Sequence, residues 1–210
     1  MTLARIDLMR LECPFWKLCG SGSGEGFTPR PNTHVWAILA CWPDAETARV
    51  RTSEAPVYRR WRRHATEAWT LRMTPISSRG TWTRRSPFVP VETSGGPVAV
   101  LTRGSIRLRH LPKFWAHEPA ISRAIAADPA VAFKIGLGEM PWLHQITFSV
   151  WPDIPALTQF ARTDGPHARA IRAVREGGWF AEDLYARFHV DETRGHWGGG
   201  DPLSRLYEAA

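Results

Sequence analysis

The stretch His34–Asp44, HVWAILACWPD, returns later in the same chain as His144–Asp153, HQITFSVWPD. Each is an apolar, β-prone run ended by Trp-Pro-Asp, and a run of that kind reads as a buried strand. Further matches lie around both copies in the same order. Upstream, Phe15-Trp16-Lys17 with Gly22, Gly24 and Glu25 answers Phe133-Lys134 with Gly136, Gly138 and Glu139. Downstream, Pro56 answers Pro166 and Trp69 answers Trp179. The separation drifts from 117 residues at Lys17/Lys134 to 109 at Trp42/Trp151, as changes in loop length would make it drift. A repeat this long is not a solenoid unit. It predicts a duplicated small domain whose halves pack on each other.

The second copy is the easier to parse. Strands are expected at Val98–Leu108, Ala130–Leu137, Leu143–Val150 and Tyr185–Val190. Helices are expected at Glu118–Ala127, Ile154–Arg162 and Pro166–Glu176. Strand, helix, strand, strand, helix, strand is the ferredoxin-like order. The first copy follows it but starts at a helix, Thr2–Arg10, so its N-terminal strand is missing. The expected class is α+β, a duplicated ferredoxin-like fold with two antiparallel sheets. The expected boundaries are 1–77 for the incomplete first half, 78–97 for a linker rich in Ser, Gly, Pro and Arg, 98–190 for the second half and 191–210 for a tail on the surface. Ser53 is the expected cap of a helix that begins at Pro56.

The chain has 210 residues, 43% of them hydrophobic and 22% charged, which is an ordinary globular composition. Eleven tryptophans are not ordinary, and suit a lined cavity or interface. The formal net charge of +7 fits an anionic partner. Three cysteines, Cys13, Cys19 and Cys41, form no C-x-x-C and no even framework, so a reducing cytoplasm is expected. There is no apolar run of membrane-spanning length and no signal-peptide layout.

Two motifs have plain structural readings. Gly20–Gly26 alternates glycine with Ser and Glu, but prolines and a strand follow it where a phosphate-binding loop needs a helix. It reads as a hairpin connection. In Tyr58–His64 four arginines surround Trp61, which lies on the apolar stripe with Val57. That reads as a solvated basic face, with an acidic docking partner as the functional alternative. No zinc-ligand spacing and no nucleophile elbow are present.

The histidines carry more. His34 and His144 open matching strands one position out of register, so they are expected on opposite faces. His167 stands in the first turn of a helix where the repeat has Val57, on a stripe with Ile171 and Val174. A histidine there is either a hydrogen-bonded core residue or a ligand, and a neutral imidazole in an apolar cavity suits haem iron. Arg169, Arg172 and Arg175 on that helix could reach propionates or form its solvated side.

The segments around Phe15–Asp44, AP-VYRRWRR, PKFW, VAFKIGLGE, HQITFSVWPD and GPHARAIRAVREGGWF resemble the spheroidene monooxygenase family from about Phe15 to Phe188. The resemblance implies a haem b enzyme that uses dioxygen and a reduced ferredoxin-like donor to oxidise a linear carotenoid to a 2-keto product. It implies a fold of the dimeric α+β barrel type and a helix-borne histidine on the iron. By position His167 is the axial ligand, Arg169 and Arg172 are cofactor contacts, and His144 and His34 are catalytic candidates. The implied location is the cytoplasm, with peripheral contact on the inner face of the membrane. A basic surface suits an acidic donor, and Trp and Phe suit a polyene tunnel. The rivals are a haem-binding or cofactor-free barrel protein without carotenoid activity, a truncated inactive relative, and a nucleic-acid-binding module. The last requires strongly salt-dependent affinity, and nucleic acid is not expected as a partner.

Overall fold

The computed structural model describes residues 2–11, 13–24, 26, 28–93, 95–116, 128–162 and 176–208. Helix α1 (Thr2–Met9) leads into strands β1 (Phe15–Gly22) and β2 (Pro31–Cys41). Helices α2 (Ala45–Glu54) and α3 (Pro56–His64) follow, then β3 (Trp69–Gly80). The second half holds β4 (Val98–Ile106), β5 (Phe133–Gly138), β6 (His144–Trp151), α4 (Ile154–Arg162) and β7 (Phe180–Gly195). Helix α5 (Ser204–Glu208) ends the described chain. None of the described helices is long and apolar enough to cross a membrane.

The strands form one antiparallel sheet in the order β2-β1-β5-β6-β4-β7-β3, not the two sheets expected from the repeat. The reason is pairing between the halves. Strand β3 runs along β7 from Trp69/Gly195 to Gly80/Leu184, and β1 meets β5 at Gly20/Gly138 and Ser21/Leu137. Edges that would be open in two separate sheets are joined instead. Within the second half the order β7-β4-β6-β5 is the ferredoxin-like one. The sheet curls on itself. Ala37 and Leu39 of β2 and Leu71 and Met73 of β3, at its two ends, pack on the same core as Phe15, Leu101, Ile146, Leu184 and Phe188.

The Trp-Pro-Asp repeat has a local explanation. Asp44 Oδ1 accepts the Thr47 N–H at 2.7 Å and Asp153 Oδ1 accepts the Ala156 N–H at 2.7 Å. Each aspartate caps the helix that follows its strand. Each tryptophan lies on the outer face: Trp42 packs with Leu8, Leu18 and Val57, and Trp151 with Val98 and Leu157. Trp69 and Trp179 do not correspond in the same way. Trp69 joins the main core and meets Phe133, whereas Trp179 joins Ile106 and Phe114 in a smaller cluster. The helix at Pro56 starts from Ala55 without a side-chain cap, and the Ser53 hydroxyl bonds back to Arg49 and Val50 carbonyls instead.

The segment expected to be a linker is mostly exposed but puts two aromatic side chains into the core. Trp82 is fully buried, its ring at 5.5 Å from that of Phe15, and Phe88 lies at 4.9 Å from Phe188. Burying side chains of this size contributes about 1.5–3 kcal/mol each. The tail is also tied down: β7 continues to Gly195, Leu203 is fully buried, and Glu67 accepts the N–H groups of Gly198 and Gly199. The glycine-rich segment supplies the end of β1 and the hairpin to β2. Gly26 has φ +91° and lies so close to Gly136 that an added Cβ would stand 2.0 Å from its carbonyl oxygen.

Candidate functional site

Alternate residues of β4 face the inside of the curled sheet. Ala99 and Leu101 are core, and the next in that row is Arg103, only 3% exposed. A guanidinium so deep in a strand needs partners. Arg103 Nη1 donates to Glu182 Oε2 at 2.5 Å, and Nη2 stands 3.8 Å from Glu139 Oε2. Glu139 follows β5, and across the seam it takes an ion pair from Lys17 of β1 at 2.9 Å. The indole N–H of Trp82 donates to Glu139 Oε2 at 2.7 Å. Lys17 and Arg103 both lie over the Trp82 ring, at 5.5 and 5.6 Å from its centroid. His144, at the start of β6, completes the group. Its Nδ1 is 3.6 Å from Glu139 Oε2, beyond hydrogen-bond length.

Thus two cations, two carboxylates, one indole and one imidazole sit at one end of an otherwise apolar core. Burial pushes the Glu139 carboxyl up, but His144, Lys17 and Trp82 outweigh it and hold it at about 2. For Glu182, burial is likewise outweighed, by the Arg84 and Thr83 N–H groups, the Thr81 hydroxyl and Arg103, again to about 2. Both are anions at neutral pH. Burial, with the nearby charge of Glu139 adding to it, pushes the Cys19 thiol up to about 12. Cys19 is therefore a protonated core group. Within this cluster, Arg103 Nε and His144 Nδ1 are buried and have no hydrogen-bond partner.

Among the residues singled out from sequence, His144 enters this cluster. His34 does not: it is exposed on β2, and its backbone N–H bonds to Asn32 Oδ1. His167, Arg169 and Arg172 lie outside the described residues, as does Arg175. No group of three His, Cys, Asp or Glu able to hold a metal occurs among the described residues. On the basic helix, Arg60 pairs with Asp7 of α1 at 2.8 Å and Arg62 donates to the Thr52 and Ser53 carbonyls. Those two arginines are structural, while Arg59 and Arg63 are exposed.

Sequence reasoning gave no role to Arg103, Lys17, Glu182 or Trp82. Arg103 had a signal, being a charge on the alternation of a strand whose neighbouring inward residues are apolar. Glu139 was visible as a member of the repeat, with no role attached. Trp82 and Glu182 had none, because only the folded path of the connecting segment brings them together.

No family model matches the chain. It is 49% identical over 213 residues to the spheroidene monooxygenase of Cereibacter sphaeroides, covering 100% of this chain and 66% of that protein's length. It is 50% identical over 194 residues to the spheroidene monooxygenase of Rhodobacter capsulatus, covering 90% of this chain and 80% of the relative. The protein of that name from Rubrivivax gelatinosus is 34% identical over 189 residues, covering 88% and 72%. Among solved structures, an anthrone oxidase-like protein matches with a TM-score of 0.37 and 13% identity, over 95% of this chain and 87% of its own. The fold therefore rests on the strand order itself. Kinship rests on the sequence matches, which span 88–100% of the chain at 34–50% identity, and on that ground the chain belongs to the spheroidene monooxygenase family.

Proposed function

We propose that this chain oxidises a linear, spheroidene-like carotenoid to its 2-keto derivative, using dioxygen, haem b and electrons from a reduced ferredoxin-type protein. The observation that carries the reading is the 49–50% identity to two proteins named spheroidene monooxygenase. Each round takes up one dioxygen, two electrons and two protons, places one oxygen atom on the substrate carbon and releases the other as water. Two rounds at the same methylene give a gem-diol, and loss of water leaves the ketone.

Haem, when bound, supplies the iron at which dioxygen is activated. His167 would hold the iron, and Arg169 and Arg172 would contact the cofactor. Support among the described residues comes from the polar end of the core. Arg103 Nε and His144 Nδ1 are buried donors with no hydrogen-bond partner, which suits a polar or anionic group beside them. Glu139, an anion, faces His144 Nδ1 at 3.6 Å. His144 is thus placed to hand on a proton, and the apolar core below excludes water. The exposed Arg59 and Arg63 on α3 suit an acidic electron donor. Peripheral contact with the inner face of the membrane would give access to the carotenoid.

The test is direct. Protein expressed with haem supply is examined for a Soret band, then incubated with spheroidene, dioxygen and reduced ferredoxin. The expected product has one oxygen more and two hydrogens fewer than the substrate, with its oxygen derived from labelled dioxygen. Haem-loaded protein that yields no ketone defeats the reaction proposed. Ketone formed by haem-free protein defeats the cofactor.

A further inference from the structure

The loop from Glu139 to His144 joins β5 to β6 and has two sides. Its end residues, Glu139 and His144, belong to the buried charge cluster. Between them the chain turns outward: Met140 is 49% exposed and Trp142 56%. The outside of this loop is the solvent side of the candidate site.

Two further segments touch it. The Trp115 indole N–H donates to the Trp142 carbonyl at 3.2 Å, and the Ile106 N–H donates to the Leu143 carbonyl at 2.8 Å. Leu108, two residues after Ile106, is 72% exposed. The hairpin between β1 and β2 is the other neighbour, its Pro29 carbonyl accepting the Trp142 indole N–H at 2.8 Å. Leu108, Met140 and Trp142 are thus large apolar side chains carried outward by segments in contact. Exposed apolar groups gathered in this way mark a binding surface.

Two features say what it meets. First, the ring donors are already used. The N–H groups of Trp142 and Trp115 both end on backbone carbonyls, so these rings can enter an apolar medium without leaving a donor unpaired. Second, the rim is basic. Arg30 follows Pro29, and Arg107, Arg109 and Lys113 lie around Leu108 in the chain, all of them exposed. The segments 28–36, 107–116 and 140–144 contain no Asp or Glu. The resulting field is felt at His110, whose imidazole is lowered from its ordinary value by burial and then by the charges of Arg109, Lys113 and Arg107. Apolar insertion and attraction to anionic headgroups are the two signals that peripheral attachment to a bilayer combines.

We infer that the surface formed by Leu108, Met140 and Trp142, rimmed by Arg30, Arg109 and Lys113, docks on an anionic lipid bilayer. Docking there sets the loop that carries Glu139 and His144 against the lipid. The inference rests on the reading above for its reason to visit a membrane, and gives that contact a definite face. Its test needs neither haem nor turnover.

The 210-residue protein is sedimented with vesicles of phosphatidylcholine and phosphatidylglycerol in equal parts, and with vesicles of phosphatidylcholine alone. Binding to the mixed vesicles should be about tenfold tighter or more, and should weaken with salt. Leu108→Ser with Met140→Ser should weaken it about tenfold or more at an unchanged thermal melt. Arg30→Glu with Arg109→Glu should weaken it as strongly. Arg59→Glu with Arg63→Glu, an equal change of net charge placed on α3, should bind as the parent does. Parent protein that ignores the mixed vesicles overturns the proposal. Equal loss in the two charge-reversed proteins also overturns it, since net charge alone would then be the attraction. So does full binding by the folded Leu108→Ser, Met140→Ser protein. Indifference to vesicles, with ferredoxin binding lost on Arg30→Glu and Arg109→Glu, overturns it in favour of an acidic protein. Ketone formed from detergent-dispersed carotenoid by protein that ignores vesicles defeats this surface and leaves the reaction standing. Vesicle binding that follows the variants as expected, without ketone, supports the surface and defeats the reaction.

Discussion

Asp44 and Asp153 do the same job 109 residues apart, each accepting at 2.7 Å the backbone N–H three positions on. The strand ends, proline prevents its continuation, and the aspartate satisfies a helix donor that would otherwise be orphaned. Replacing Asp153 by Ala should cost about 1 kcal/mol of stability, read by urea titration. Asp44→Ala should act in the same direction. Asparagine at either position should restore most of the loss, since it retains the accepting oxygen.

Arg103 is the most consequential residue of the polar end. Replacing it by Met leaves Glu139 and Glu182 without their buried cation, and should destabilise the protein by about 3–5 kcal/mol. Lysine should not rescue it, because a point charge cannot span two carboxylates as the guanidinium fork does. A thermal melt of R103M equal to that of the parent would show that the cluster contributes nothing to the fold.

The same carboxylates set an acid limit. Both are held at about 2 in the folded chain, against 4.5 when free of it. A depressed folded value gives stability that is complete above the unfolded value and is lost as protons bind. Stability should therefore fall as pH drops from about 4.5 toward 2. In a double variant, Glu139→Gln with Glu182→Gln, the folded chain should be less stable at neutral pH and its acid slope shallower. Denaturant midpoints across that range check both effects.

For the proposed cofactor, His167→Ala should lose the Soret band or hold haem weakly, with external imidazole restoring it. His144→Ala should keep the band but slow turnover, with a changed pH profile. His34, exposed on β2, should be replaceable with little effect on either. Loss of haem from His144→Ala with retention in His167→Ala would reverse the assignment.

Reversing Arg59 and Arg63 to Glu should slow turnover driven by ferredoxin, most at low ionic strength, and leave chemically reduced enzyme active. The neighbouring Arg60 and Arg62 are unsuitable for this test, because their loss removes the contacts to Asp7 and to the end of α2.

The strands were legible because Trp, Pro and Asp mark the same strand-to-helix turn twice. The order of β4 to β7 followed from that pattern. The single sheet was not legible, because pairing across the seams depends on edges meeting in space, and neither β1 nor β3 carries a local mark of its partner. The connecting segment misled for a related reason. Its Ser, Gly, Pro and Arg content masks Trp82 and Phe88, whose burial depends on where the path enters the core. Within the candidate cluster, His144 was legible from its place at a strand start. Arg103 and Glu182 were missed because alternation gives a face, while a buried ion pair requires two strands in register.

The two halves are stitched with unequal seams. One runs the full length of β3 along β7, and the other holds by Gly20 and Ser21 of β1, helped by the Ser21 hydroxyl on the Gly136 carbonyl and by Lys17 on Glu139. A sheet under load parts where its stitching is shortest. Opening fluctuations of this fold should therefore swing α1, β1 and β2 away as one flap, with the long seam as the hinge and the Lys17–Glu139 pair as its latch.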